Sequence, residues 1–285
     1  MRRIFGVVVL FHPSDKVAEN IRSYLDGVEK LLLIDNSEPN LDQTFFRHFN
    51  DSDRLKIKLI SNSQNYGMAK ALNQAAVYAI ENECHWLLTM DQDSFFEKGS
   101  LKRIKDFIET STENVGIIAP FHLTPKSIPS KFKEENTRLR ITMTSGNLLN
   151  LEAYKQCGAF DEKLFIDSVD HEYCLRLRKN GYQVVRVNAA ILHHSLGNII
   201  YHHFLLFRFK TTNHSSTRRY YIARNRLYVM FKYMIFDFKF FRREFGHYFK
   251  DFLRVIFLEK EKKEKLTAIL KGTSHFMIGR FGKEQ

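Results

Sequence analysis

Cysteine is scarce in this chain of 285 residues, and the three present, Cys84, Cys157 and Cys174, are odd in number with no Cys-x-x-Cys pair. That spacing argues against a disulfide framework and a cysteine zinc site, so a reducing cytoplasm is the expected setting. Five prolines and thirteen glycines leave no room for a long low-complexity linker. No segment offers the roughly 20 consecutive apolar residues of a membrane-spanning helix. The apolar stretch 4–11 behind Met1, Arg2 and Arg3 is too short for a secretory leader with its cleavage site and reads as a buried first strand. What is present, 44% hydrophobic and 27% charged residues, is the balance of a globular chain and argues against wholesale disorder. The length suits one large α/β domain with an appendage.

Charge is unevenly placed. Residues 201–285 hold 19 Lys+Arg against 7 Asp+Glu, which is the whole of the net +12, while residues 1–200 are balanced. Two parts with different surroundings are expected, 1–200 and a basic extension 201–285. The extension also carries 14 of the 26 Phe. Its Phe231, Ile235, Phe238, Phe241, Phe245, Phe249, Phe252 and Ile256 recur at steps of three or four, one face of a helix that Gly246 would interrupt or kink.

In the first half, apolar runs at 5–11, 31–34, 56–60, 86–90 and 115–119 read as strands, with helical patterns at 16–25, 69–83 and 100–110. That rhythm predicts a mostly parallel sheet flanked by helices, whose ligand sits beyond the carboxyl ends of the strands. The residues there are strongly polar. Asp35-Asn36-Ser37 follows the second run, Asn65-Tyr66-Gly67 the third, and Asp91-Gln92-Asp93-Ser94 the fourth.

Asp91 and Asp93 put two carboxylates on one turn, where a hard divalent cation and a diphosphate would meet; an isolated Asp-x-Asp is more often a solvated turn. Gly67 lets backbone approach a ligand at the start of a helix whose N-terminus favours an anion. Further on, Asp161, Glu162, Asp167, Asp170 and Glu172 concentrate five carboxylates ahead of an apolar helical pattern at Tyr173, Leu175 and Leu177. A carboxylate there would serve as base for an acceptor hydroxyl, or Asp167 would simply cap the helix. His194, after an apolar run, is either a core histidine or a metal ligand beside carboxylates.

Taken in order, Phe5-Gly-Val-Val-Val-Leu-Phe-His-Pro13, Leu33-Ile-Asp-Asn-Ser37, Asn65-x-Gly67-x-Ala69-x-Ala71-x-Asn73, Asp91-Gln-Asp-Ser94, Thr144-Ser-Gly146 and Phe165-Ile-Asp-Ser-Val-Asp-His-Glu172 resemble the family 2 glycosyltransferases, over about residues 4–197. The likeness is nearest to the bacterial dTDP-rhamnosyltransferase branch. It implies a GT-A nucleotide-sandwich fold with a nucleotide-sugar half at about 1–95 and an acceptor half at about 96–200, followed by the helical, aromatic and basic extension. By the same resemblance, Asp35 would hold the base or ribose, Asn65 and Lys70 would line the nucleotide pocket, and Asp91 would reach the ribose or a metal-bound water. Asp93 would bind Mg²⁺ or Mn²⁺, with His194 of His-Ser-Leu-Gly197 as a metal- or diphosphate-contacting element that the adjacent His193 blurs. The family's base is the second acid of a Glu-Asp pair; the pair reads Val169-Asp170 here, so Asp170 keeps the basic position, with Asp167 and Glu172 as rivals. Arg219-Tyr-Tyr-x-x-Arg224-Asn225 resembles a segment that follows the catalytic domain in this branch.

The resemblance implies an inverting hexosyltransferase that moves L-rhamnose from dTDP-β-L-rhamnose onto a lipid-linked glycan acceptor in surface polysaccharide synthesis. UDP-galactofuranose, UDP-glucose and UDP-GlcNAc are the alternative donors. A nucleotidyltransferase would need a glycine-rich basic loop after Leu10, which is missing. A basic nucleic-acid-binding protein would use the interleaved cations and aromatics of the extension, but the ordered motifs favour an enzyme with no nucleic-acid partner. The extension is expected to attach the protein peripherally to the anionic inner face of the cytoplasmic membrane, or else to pack on the catalytic domain or across a homodimer.

Overall fold

Strands that lack polar alternation must be covered on both faces, and Ile4–Leu10 buries all seven of its residues. The computed structural model describes residues 2–124, 134–194, 200–204, 207–211 and 213–284. It divides into two compact units, Met1–Glu162 with Tyr173–Ser195, and Lys163–Glu172 with Leu196–Gln285.

The first unit is built on β1 (Ile4–Leu10), β2 (Lys30–Asp35), β3 (Ile57–Ser61) and β4 (Trp86–Asp91), all parallel. Then follow β5 (Ser94–Phe96), β6 (Val115–Leu123), β7 (Asn136–Arg138), β8 (Asn147–Asn150) and β9 (Gln183–His194). The sheet order is β3-β2-β1-β4-β8-β6-β9-β5, with β7 on β9. β8 runs antiparallel to β4 and β6, while β6 and β9 are parallel. Helices α1 (Lys16–Leu25), α2 (Asp51–Lys56), α3 (Met68–Glu81), α4 (Ser100–Thr110) and α5 (Leu151–Cys157) connect the strands. The mostly parallel, helix-flanked sheet expected from the rhythm of the apolar runs is therefore present, and its apolar core joins Val8, Leu33, Leu88, Ile118 and Val185.

Helix α6 (Val169–Lys179) gives its first turn to the second unit and the rest to the first. The second unit also holds an antiparallel pair, β10 (Ile200–Phe204) and β11 (Phe207–Thr211), and helices α7 (Ser216–Lys232), α8 (Phe238–Leu258) and α9 (Lys262–Met277). Among the described residues no helix is long and apolar enough to cross a membrane.

The aromatic stripe expected along a single helix from Phe231 to Ile256 is broken. Phe231 lies in the last turn of α7, and Asp237 starts α8 by accepting from the Phe240 amide at 3.0 Å, so the stripe proper begins at Phe238. Gly246 lies inside the continuous α8 and does not end it. The helix is apolar on its outer side. Phe238, Phe245, Phe249, Leu253 and Phe257 are exposed, while Glu244 is buried and pairs with Arg226 at 3.4 Å, beside Asp251, which pairs with Arg226 at 2.8 Å. Lys239, Arg242 and Lys250 are exposed as well.

Close approach of α9 to α7 depends on Gly272, where a Cβ would lie 2.5 Å from the Tyr220 carbonyl oxygen. On a solvated helix a Gly to Ala change gains about 1 kcal/mol. Here the sign reverses, because a backbone oxygen cannot swing aside: Gly272→Ala is expected to destabilise by about 1–3 kcal/mol. Chemical denaturation of the two proteins checks this, and a Gly272→Ala protein as stable as its parent would contradict the packing.

Candidate active site

The polar ends of β2 and β3 are tied together before any ligand is considered. Asp35 is fully buried at the end of β2 and accepts from the backbone amides of Ser37 and Leu41 at 2.9 and 2.6 Å, which folds the 36–41 loop around it. Asn36 and Asn62 bond at 2.8 Å, and Asn36 donates to the Gly67 carbonyl at 3.2 Å. Asn65 accepts from the Gly67 amide at 2.9 Å and its own amide donates to Glu38 at 2.7 Å. Gly67 itself has φ 84°, a conformation glycine adopts at little cost, and α3 starts at the next residue. Lys70 stands 4.1 Å from the centre of the Tyr66 ring. Asp35 and Asn65 therefore belong to one hydrogen-bonded rim, and Lys70 reaches it only through the Tyr66 ring. Asn73, at the end of the same motif, has a framework role: it bonds Phe160 through both backbone groups, at 2.8 and 3.0 Å, and reaches Glu162 and Tyr154.

The Asp91–Asp93 turn is fixed from three sides. Gln92 exchanges two hydrogen bonds with the Phe11 backbone at 2.9 and 3.2 Å, and Asn20 donates to the Gln92 carbonyl at 2.9 Å. The Asp91 amide donates to the buried Ser145 hydroxyl at 3.0 Å. Ser145 is in turn held by His122, whose Nε2 lies 2.7 Å from its carbonyl, and by Gly146 at φ 82°, where a Cβ would stand 2.7 Å from Pro120. Burial holds the Tyr24 phenol far above its ordinary range, and the Asp91 carboxylate adds to the effect, so the hydroxyl stays protonated.

Pairing of β5 with β9 brings His194 to this turn across a hundred residues. Ser94 faces His194 and Phe95 faces His193 in register. Side chains alternate along a strand, and the two histidines part accordingly. His193 stacks on Phe95 at 4.5 Å and lies 3.6 Å from Glu97. His194 places a ring nitrogen with an oxygen of Asp91 and of Asp93, all within 4.8 Å of one another. The Ser94 hydroxyl is 2.7 Å from His194 Nδ1, the same ring nitrogen that lies 3.6 Å from Asp93, so Ser94 sits against both side chains. Two carboxylates and one imidazole make a donor set suited to Mg²⁺ or Mn²⁺. Ser195, Leu196 and Gly197 of the late motif lie outside the described residues.

Asp167, Asp170 and Glu172 fall in the other unit. Asp167 and Ser168 both adopt left-handed backbone, φ 62° and 64°, at the entry to α6. Burial pushes the Asp167 carboxyl up, against the pull of Arg218, whose guanidinium lies 3.2 Å away. Glu172 is fully buried between Lys232 at 2.9 Å and the Tyr233 hydroxyl at 2.8 Å. Asp170 is part-exposed and accepts from the neighbouring His171 amide at 2.8 Å. Of the three rivals, Glu172 and Asp167 are engaged with cations of α7, while Asp170 is part-exposed.

Some contributors carry no legible role in sequence. Ser145 and Ser94 stand inside recognisable motifs, but their work is to orient Asp91 and His194, and His122 has no motif at all. Only the pairing of distant strands reveals it.

Comparison with known proteins agrees with this geometry. The family model described as glycosyl transferase family 2 matches residues 7–160. A dTDP-rhamnosyl transferase RfbF of Shigella flexneri is 24% identical over 259 residues, covering 80% of each chain. Among solved structures, residues 1–349 of S. aureus TarS in complex with UDP-GlcNAc superpose with a TM-score of 0.63 at 13% identity, over 98% of this chain and 84% of that one. GalNAc-T7 with UDP, GalNAc and Mn²⁺ superposes with a TM-score of 0.52 at 14% identity, over 68% of this chain and 44% of that one. At such identities the structural likeness speaks to the GT-A fold alone. The family assignment comes from the sequence match across more than half of the chain, and by it this protein belongs to glycosyl transferase family 2.

Proposed function

We propose that the protein is an inverting, divalent-cation-dependent rhamnosyltransferase that takes L-rhamnose from dTDP-β-L-rhamnose and forms an α-linkage on a lipid-linked surface glycan. The observation that carries the reading is the convergence of Asp91, Asp93 and His194 at the carboxyl end of β4, where parallel sheets of this kind receive phosphorylated ligands. The choice of donor draws on the Shigella flexneri relative named as a dTDP-rhamnosyl transferase. Asp35, Asn65 and Lys70 are assigned to the nucleotide end of the donor. Asp35 acts there chiefly by shaping the 36–41 loop, since both its oxygens accept backbone amides. Lys70 offers its ammonium to the diphosphate.

Asp93 and His194 would hold the cation, with Asp91 beside them, and an ion bound there supplies positive charge against the departing diphosphate. Asp170 takes the proton from the acceptor hydroxyl as that oxygen attacks the anomeric carbon and the bond to the nucleotide diphosphate breaks. A single displacement of this kind inverts the β-donor to an α-product.

If the cation sits with His194, titration of Mn²⁺ in the presence of dTDP should show His194→Ala and Asp93→Ala each weakened by at least about tenfold. His193→Ala, on the other side of the strand, should bind as wild type. Normal affinity in His194→Ala would remove that ligand, and full activity in EDTA would remove the metal altogether.

Asp170→Asn keeps shape while removing basicity, so turnover should drop by about 10²–10⁴-fold with donor affinity unchanged. Normal turnover there, with collapse in Asp167→Asn or Glu172→Gln, would hand the role to one of those residues.

Peripheral membrane attachment is supported by the inverted α8, whose phenylalanines face outward while Glu244 and Asp251 pair inward with Arg226. Phenylalanines would enter the headgroup boundary, and each flanking cation adds about 1 kcal/mol on anionic lipid. Co-sedimentation with anionic vesicles at low salt is expected, with release at high salt and loss in a Phe245→Ser, Phe249→Ser double variant. A protein that stays in the supernatant, or that dimerises through these residues, would contradict the lipid assignment.

A further inference from the structure

The segment Phe165–Asp170 carries the proposed base, yet its backbone is held in a conformation that side-chain-bearing residues rarely adopt. Two successive non-glycine residues, Asp167 and Ser168, sit at φ 62° and 64°. Such a pair persists only where its surroundings over-determine it. What surrounds it in the second unit is one face of α7. Arg218, Tyr221, Asn225 and Lys232 are spaced by three, four and seven residues and so lie along one side of that helix.

Three of the four grip that segment, and the fourth holds the residue two beyond it. The Tyr221 ring stacks on Phe165, with centroids 5.3 Å apart. Arg218 pairs with Asp167 at 3.2 Å. Asn225, fully buried, spends both amide hydrogens on this segment, donating to the carbonyls of Ile166 at 2.7 Å and Asp167 at 3.2 Å. Lys232 holds Glu172 at 2.9 Å, one turn past the strained pair. Asp170 lies between these fixed points.

Asn225 is itself prevented from turning. Its Oδ1 accepts from Arg224 Nε at 3.0 Å. Arg224 is fully buried and donates to the Tyr220 hydroxyl at 2.9 Å and the Gly282 carbonyl at 2.8 Å, with its guanidinium 5.1 Å from the Tyr221 ring. The Gly282 amide returns to the Lys163 carbonyl at 3.0 Å. Burying a cation among neutral acceptors is costly, and a helix needing only to pack would be served by a leucine. The cost is met here by a polar chain that ends at the carbonyls before Asp170.

We propose that Asn225 is a positioning residue for Asp170: by holding the Ile166 and Asp167 carbonyls it fixes the left-handed pair that aims the first turn of α6. The inference rests on the reading of Asp170 as the base. It also gives a purpose to Arg219-Tyr-Tyr-x-x-Arg224-Asn225, a segment that the nucleotide-binding sheet does not account for.

Asn225→Asp keeps the acceptor for Arg224 and removes both donors, so it isolates the grip on the loop. Its kcat should fall by about 100-fold while donor KM and donor affinity stay within about threefold, the signature of a misplaced group rather than a lost binding contact. In an Asp170→Asn background the same substitution should cost almost nothing further, because the group it aims is already gone. Arg218→Gln, at a half-exposed position, provides a variant that spares the buried chain. It should lower kcat with donor affinity intact, and Arg218→Lys should recover part of the loss. An equal loss in both backgrounds, a parallel fall in donor affinity, or wild-type kcat in Asn225→Asp would overturn the inference. If Asn225→Asp fails to fold, wild-type kcat in Arg218→Gln overturns it. A dead Asp170→Asn beside a normal Asn225→Asp overturns this inference alone; normal turnover in Asp170→Asn overturns the base reading and this inference with it.

Discussion

Three rungs of antiparallel pairing, Ser94 to His194, Phe95 to His193 and Phe96 to Leu192, determine which side chains meet the Asp91–Asp93 turn. The Asp91–Asp93 turn ends β4 near the middle of the sheet order, and the end of β9 arrives there only because β5 folds back along it. A slip of one residue in this pairing would put His193 opposite Ser94 and carry His194 away from the carboxylates. The register is secured locally. Ser94 bonds to His194, the Phe96 amide donates to Ser23 at 3.0 Å, and the Glu97 amide donates to the Ile191 carbonyl at 3.0 Å. A cluster of Asp91, Asp93 and His194 that spans a hundred residues of chain is thus specified by strand pairing and not by any local motif.

The second unit solves a different problem with a different material. Its interior is polar to a degree that apolar packing alone would not require: Arg219 and Glu259 pair in full burial, and Lys265 lies 3.3 Å from the same carboxylate. Buried pairs of this kind contribute little net stability against apolar substitutes, but removing one partner costs about 3–5 kcal/mol. They favour one arrangement of α7 over its neighbours, and the residues of α7 that grip Asp167 and Glu172 benefit from that restriction. Polar residues inside α8, with aromatics outside, follow from the same inward pull. Once Glu244 and Asp251 are committed to Arg226, the phenylalanines are left on the outer side.

Much of the first unit was legible because its signals are local. Helices α1 and α4 begin and end at the residues the apolar period marks, and strands β1 to β4 fall within a residue or so of their apolar runs. The polar strand ends stood out for the same reason. Other features needed the folded chain. The choice between His193 and His194 is a matter of strand face, visible only once β5 is known to pair with β9. Ser145 and His122 act through a turn closed by Gly146, which the Thr144-Ser-Gly146 motif marks but does not explain. Asp237, a capping residue inside a run of aromatics, divides a stripe that periodicity alone carries straight through from Phe231.

Donor turnover is the most direct test of the transferase assignment. Purified protein incubated with Mn²⁺ and a panel of dTDP-β-L-rhamnose, UDP-galactofuranose, UDP-glucose and UDP-GlcNAc should release nucleotide diphosphate from the rhamnose donor, and EDTA should stop that release. Release from a UDP-sugar alone would overturn the rhamnose assignment, and no metal-dependent release from any of the four would contradict the central claim.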